Sequence, residues 1–246
     1  MARAQLPHRR ARRLLHWLTA GGMFAVLLLG GGMAAAQSRN VATGFHALAK
    51  GARVVIMPAD IELYSISAGG IREPRADWTE AALANFRAAL QEKKAALGLK
   101  TTELSVPDAD ALAEVSALHT AVANAITVHH FGSSQLQLPT KGGQLDWSLG
   151  EAAALIRMRT GAEYALFARL RDSYASGERK FAMATMALVG MGLSGGSQVG
   201  YASLVDLNSG KVLWFNRLSR ASGDLRDAEH ARETVGALLQ DFPVAQ

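Results

Sequence analysis

The stretch GYASLVDLNSGKVLWFNRLS, residues 200–219, decides the fold. Two apolar, β-rich runs flank Leu207-Asn208-Ser209-Gly210-Lys211. Asn, Ser and Gly accept the backbone angles of a tight reversal, so the pattern predicts an antiparallel β-hairpin. Upstream, AEYALFARLRDSY at residues 162–174 alternates. Tyr164, Leu166, Ala168 and Leu170 share one face, and Phe167, Arg169 and Arg171 the other, which predicts a further strand. Downstream, Leu225, Ala228, Val235, Leu238 and Phe242 recur at helical spacing and predict a terminal helix from about Leu225 to Asp241.

Earlier segments complete the pattern. RVVIMP, residues 53–58, is a short apolar run ended by proline and reads as a buried strand. IELYSIS, 61–67, alternates and reads as a second strand or an extended arm, and AGGIREPR breaks the chain after it. Asp77 and Glu80 have the spacing of a capping box for a helix over 78–97, with Trp78, Ala82, Phe86, Ala89 and Leu97 along one stripe. TTELSV, 101–106, is β-rich, and Pro107-Asp108 opens a helix striped by Leu112, Val115, Leu118, Val122 and Ile126. A Gly/Ser-rich loop follows. Ser148 and Glu151 open a third helix that Gly161 ends. Mixed helices and strands with one antiparallel hairpin predict the α/β class: a single layered domain over 37–246, a mixed sheet, and the C-terminal hairpin followed by the terminal helix. There is no internal repeat.

The first 36 residues predict the compartment. Arg3, Arg9, Arg10, Arg12 and Arg13 precede an apolar stretch, and Ala34 and Ala36 satisfy an A-x-A cleavage pattern. Residues 1–36 therefore read as a secretory signal peptide, and the protein is expected in the periplasm. The competing reading is an uncleaved anchor, because Leu14–Met33 is twenty residues long. The chain carries 26 Lys+Arg against 21 Asp+Glu. Cleavage removes five arginines and no acid, leaving 21 of each. The mature chain has no cationic surplus to neutralise phosphates, so nucleic acid is not an expected partner. There is no cysteine, which excludes disulfides, thiolate metal sites, cysteine nucleophiles and lipid on an N-terminal cysteine.

FAMATMALVGMGLSGGS, Phe181–Ser197, matches three signatures. Gly190-x-Gly192-x-x-Gly195 has dinucleotide spacing, but that fingerprint must open a helix, and the residues after it read as strand. Gly192-x-Ser194-x-Gly196 has the spacing of a nucleophile elbow, with Asp224 and His230 following in hydrolase order. The elbow also needs a helix after its serine. Asp224 as a helix cap and His230 as an exposed helical residue are the simpler assignments, and a periplasmic serine hydrolase using Ser194 is the alternative function. Residues 181–193 carry no charge, yet thirteen helical residues cover only about 20 Å of a hydrocarbon core of about 30 Å. The stretch either packs on its own domain or forms an apolar patch for a partner or a membrane surface. Phe181, Met183, Met186 and Met191 are the candidate interaction residues, thioethers being adaptable contacts.

No other chemistry is concentrated. His46, His119, His129, His130 and His230 follow the leader without a metal-ligand spacing. His119 lies beside an apolar stripe and reads as a hydrogen-bonded core residue. His129 and His130 fall at a helix end, where the dipole favours imidazolium. Asp108 and Asp110 begin a helix, and Glu163, Asp172 and Asp206 lie on or beside strands with no spacing that pairs them. GERK, 177–180, reads as a solvated turn. No cofactor and no metal is expected.

GAEYALFARLRD followed by the hairpin resembles a group of bacterial envelope proteins that includes CsgG, LpoB and the N-terminal domain of TolB. There a "gaDy" strand precedes a hairpin of the form "lvD…tGevlW". The corresponding residues are Gly161, Ala162, Glu163 and Tyr164, then Leu204, Val205, Asp206, Ser209, Gly210, Lys211, Val212, Leu213 and Trp214. The resemblance covers about the last hundred residues. It implies a periplasmic α/β domain that docks to envelope proteins or self-assembles, and that is not an enzyme. Peripheral membrane contact and homo-oligomers are compatible with it. Many relatives are lipidated on a cysteine that this chain lacks, and the excursion at 181–193 does not alternate as a pore-forming strand pair would.

Overall fold

The strand expected after Gly161 is the axis of the sheet. A computed structural model describes residues 39–221 and 223–244, and these belong to one compact unit, Ala36–Gln246. The signal peptide expected over 1–36 lies outside the described residues. Strand β5 (Tyr164–Ala175) pairs with two parallel neighbours on one side. Its first half meets β1 (Arg53–Ile56) and its second half meets β2 (Asp60–Ile66). Strand β4 (Lys100–Glu103) lies parallel outside β1, and β3 (Arg72–Pro74) antiparallel outside β2. On its other side β5 pairs with β6 (Gly196–Asp206), which continues antiparallel into β7 (Val212–Arg220). The sheet is mixed and seven-stranded, as an α/β reading requires.

Helices cover both faces. On one, α1 (Ala76–Ala96) and α6 (Ala228–Leu238) bring Phe86, Leu90, Val235 and Leu238 against Leu63, Leu166, Leu170, Leu204 and Trp214. On the other, α3 (Ala113–His129) and α4 (Ala153–Thr160) bring Val115, Ile126 and Ile156 against Val55, Phe167, Tyr201 and Phe215. The alternation read in β5 is thus divided between two cores: Leu166 and Leu170 enter the first, Phe167 the second. The segment 39–42 reaches the edge of β7, where Val41 bridges Trp214 and Phe215 N donates to Asn40 O at 2.8 Å.

The hairpin turn is held by its own side chains. Asp206 accepts from Asn208 N at 2.8 Å and from Ser209 Oγ at 2.9 Å. Gly210 takes φ 71°, and a Cβ there would collide with the Gly150 carbonyl, so a side chain is excluded both by conformation and by space. Gly161 ends α4 at φ 65°, as expected of a left-handed C-terminal glycine.

Local details differ from the sequence reading. Asp77 does not cap α1: the helix begins two residues earlier than expected, at Ala76, and Asp77 instead binds Arg75 at 2.7 Å. Ser148 does not cap a helix: its Oγ accepts from Gly150 N at 2.9 Å, and a short 3-10 segment capped at Leu149 precedes α4. The helix opened by Pro107 is two helices, α2 (Val106–Ala111) and α3, interrupted at the fully buried Leu112. AGGIREPR carries β3 after its break. GERK is not a turn: Ser176 caps α5 (Gly177–Ala187), its Oγ accepting from Arg179 N at 3.1 Å. The cap of α6 is Asp227, which accepts from Glu229 N and His230 N, whereas Asp224 binds Arg226 at 2.7 Å.

Candidate interaction surface

Helix α5 and the loop after it form an excursion between β5 and β6. Its two legs are adjacent strands, so the excursion begins and ends at one place. Ala175 N donates to Gly195 O at 2.7 Å, and Ser176 N donates to Ile66 O at 2.9 Å. Arg179 is the pin. It is buried, and its Nε donates to Ser194 O at 2.9 Å while one terminal nitrogen reaches Ala68 O at 3.4 Å and Ser67 O at 3.5 Å. One guanidinium therefore ties the start of α5 to the end of its loop and to the β2–β3 connection.

Beyond the pin the apolar side chains face water. Phe181 is 75% exposed, Leu188 87%, Val189 70% and Met191 54%. Phe181 and Leu188 are seven residues apart, two helical turns, so they continue one side of the helix. Met183 and Met186 are half-buried. The Met183 methyl lies over Gly195, where an added Cβ would stand 3.1 Å from it. Of the four residues singled out in the sequence, Phe181 and Met191 are exposed, and Met183 packs on the returning chain. Leu188 and Val189 are exposed with that pair; the uncharged run includes them, but its lack of charge left open whether they packed or faced solvent. No helix among the described residues is long and apolar enough to cross a membrane.

A buried polar row stiffens the base of the excursion. The register places Asp172, Gln198 and Arg220 opposite one another across β5, β6 and β7. Gln198 Nε2 donates to Asp172 Oδ2 at 2.7 Å, and Arg220 Nε donates to Gln198 Oε1 at 2.8 Å. Thr234 of α6 joins the row, donating to Gln198 Oε1 at 3.1 Å and accepting from Arg220. Tyr174 Oη donates to Asp172 and accepts from Leu225 N at 2.9 Å. Burial pushes the Asp172 carboxyl above its ordinary range, and the tyrosine and glutamine donors oppose that rise. One step along, Ser173 Oγ accepts from Ser197 N at 3.1 Å. Sequence reasoning placed Asp172 on a strand but missed this row.

The catalytic alternatives lack their geometry. Residues 196–206 are strand, so no helix begins after the glycines to hold a pyrophosphate or present a nucleophile. Ser194 Oγ donates to Gly196 O at 3.2 Å, and His230 Nδ1 lies 2.9 Å from Asp227. Among the described residues no hydrogen bond joins Ser194 to an imidazole. His119 is a core residue: it is 2% exposed, stacks on Phe167 with ring centroids 3.7 Å apart, and meets Ser203 Oγ at 2.6 Å. Burial lowers its pKa to about 3. His130 departs from the expected imidazolium. It is buried, its Nε2 lies 2.7 Å from Arg39 O, and desolvation lowers its pKa although the bond to the Arg39 carbonyl opposes the fall. No cluster of His, Asp or Glu able to hold a metal occurs among the described residues.

No protein-family model and no curated protein matches the chain. Solved structures do. The chain is similar to the PelC dodecamer from Paraburkholderia phytofirmans, at 15% identity and a TM-score of 0.39, over 81% of this chain and 93% of that one. It is similar to the LpoB C-terminal domain from Salmonella enterica, at 15% identity and a TM-score of 0.27, over 73% and 87%. The lipoprotein GNA1162 from Neisseria meningitidis is similar at 14% identity and a TM-score of 0.30, over 78% and 96%. These similarities concern the course of the chain, and the functional reading rests on this chain's own residues.

Proposed function

We propose that the protein is a non-catalytic component of the bacterial envelope, exported to the periplasm, that docks to other envelope proteins or self-assembles through the α5 excursion. The observation that carries this reading is the exposed apolar tip, Phe181, Leu188, Val189 and Met191, mounted on a base that Arg179 locks. A rigid base limits the entropy lost on docking, and exposed apolar area supplies the gain. The leader-like first 36 residues and the absence of cysteine support an exported, unlipidated protein.

Crosslinking in intact cells with wild type and with a Phe181→Asp, Leu188→Asp double variant tests the surface. The expected result is loss of the crosslinked species with an unchanged thermal midpoint. Leu188→Asp alone is the second variant, should the double variant fold poorly. Crosslinked products that survive in a folded variant overturn the assignment. Light scattering on residues 37–246 separates self-assembly from docking to a different protein.

A further inference from the structure

The half of the α3 face of the sheet that carries Arg169 and Arg171 is a groove rather than a packed layer. It has a volume of about 260 Å3, with Asn124 and Thr127 of α3 as one wall. The strand register lays two rows across its floor. Arg169, Tyr201 and Arg217 face one another in the first, and Arg171, Val199 and Ser219 in the second. Strand alternation points all six to the same side.

Charge across this floor is uneven. Arg169 Nε lies 3.0 Å from Asp60 Oδ2, and its NH1 donates to Asn124 Oδ1 at 3.2 Å. Arg171 meets Asp60 at 2.7 Å and Glu62 at 3.4 Å. Both acids belong to β2, on the opposite side of β5 from β6 and β7. Arg217, on β7, has no carboxylate within ion-pair distance among the described residues. Its guanidinium sits over the Phe131 ring at 4.8 Å, and Arg39 lies over the same ring at 5.6 Å. Three arginines thus line the groove against two carboxylates, and the surplus is at the β7 side. Between them the floor is apolar: Val199 is 40% exposed, beside the Tyr201 ring.

We propose that this groove is a binding site for a carboxylate carried on an apolar body, the carboxylate meeting Arg217 and the apolar part lying on Val199 and Tyr201. Guanidinium is suited to it because its planar donors match a carboxylate two at a time. A strongly hydrated polyanion would leave Val199 unused. The site shares no residue with the α5 tip, so the two proposals fail separately.

The chemistry has two sources, a free organic acid or the acidic residue of an apolar peptide. Amide-resolved NMR titration of residues 37–246 with 4-phenylbutyrate, with its neutral amide, and with the blocked peptide Ac-Leu-Glu-Leu-NH2 distinguishes them. The expected result is saturable shifts at Val199, Tyr201 and Arg217 with 4-phenylbutyrate, the peptide or both, and none with the amide. Arg217→Gln, which removes an exposed side chain without an ion pair, should weaken binding at least fivefold and leave the thermal midpoint unchanged. The tighter of the two acids identifies the source. Absence of binding by both acids, equal binding by the amide, or unaltered binding in folded Arg217→Gln overturns the proposal.

Discussion

Asp172 and Gln198 face each other across β5 and β6, and a hydrogen bond of 2.7 Å joins their side chains in the interior. Each is nearly inaccessible, at 2% and 1% exposure. Gln198 is the connecting member of the row, since it donates to Asp172 and accepts from both Arg220 and Thr234. Gln198→Ala leaves the buried Asp172 and the half-buried Arg220 without their shared partner. The expected loss is about 2–4 kcal/mol, read as a lower urea midpoint at unchanged slope. A loss below about 1 kcal/mol would mean that water replaces the glutamine at no cost.

His119 makes stability depend on pH. Its folded pKa is about 3 because burial disfavours the charged ring, whereas the unfolded value is near 6.5. Below pH 6.5 the unfolded chain takes up a proton that the folded chain refuses, so stability falls with falling pH until about pH 3. Between pH 6.5 and pH 5 the loss amounts to about 1.7 kcal/mol. Asp172 has the opposite sign: its raised folded pKa favours the folded state as pH falls towards its ordinary carboxylate range. Urea unfolding of wild type and His119→Asn at the two pH values cancels Asp172 and isolates the histidine. The variant should lack this part of the dependence.

Arg179 should control the mobility of the tip more than the stability of the sheet. Its bonds reach Ser194, Ser67 and Ala68, all in connections rather than strands. Arg179→Ala is expected to raise amide exchange over residues 177–195 at least tenfold, a local opening of about 1.4 kcal/mol, while β5 and β6 stay protected. Uniform acceleration across the sheet would place the arginine in the global core instead.

Ser194 should be inert. Its hydroxyl is occupied by the Gly196 carbonyl, and the strand that follows supplies no helix terminus for an oxyanion. A fluorophosphonate probe should label wild type and Ser194→Ala alike. Labelling that disappears in the variant would restore the hydrolase reading.

Periodicity and turn chemistry are local, and by themselves they determined strands β1 and β4 to β7, the hairpin, the terminal helix and the α/β class, but not β3. Alternation in 164–171 assigned side chains to two faces, and Asn208-Ser209-Gly210 set the reversal. Capping was less legible, because Asp77, Asp224 and Asp227 all have the right chemistry and only the path of the backbone selects Asp227. The stretch 181–193 is uncharged, but whether it packs or faces solvent depends on where Arg179 anchors it. The polar row and the arginine groove were decided by tertiary structure alone. Asp172 and Gln198 are 26 residues apart, and Gln198 and Arg220 22 apart. Strand register brings such residues together, and a shift of one position would turn each side chain to the opposite face of the sheet.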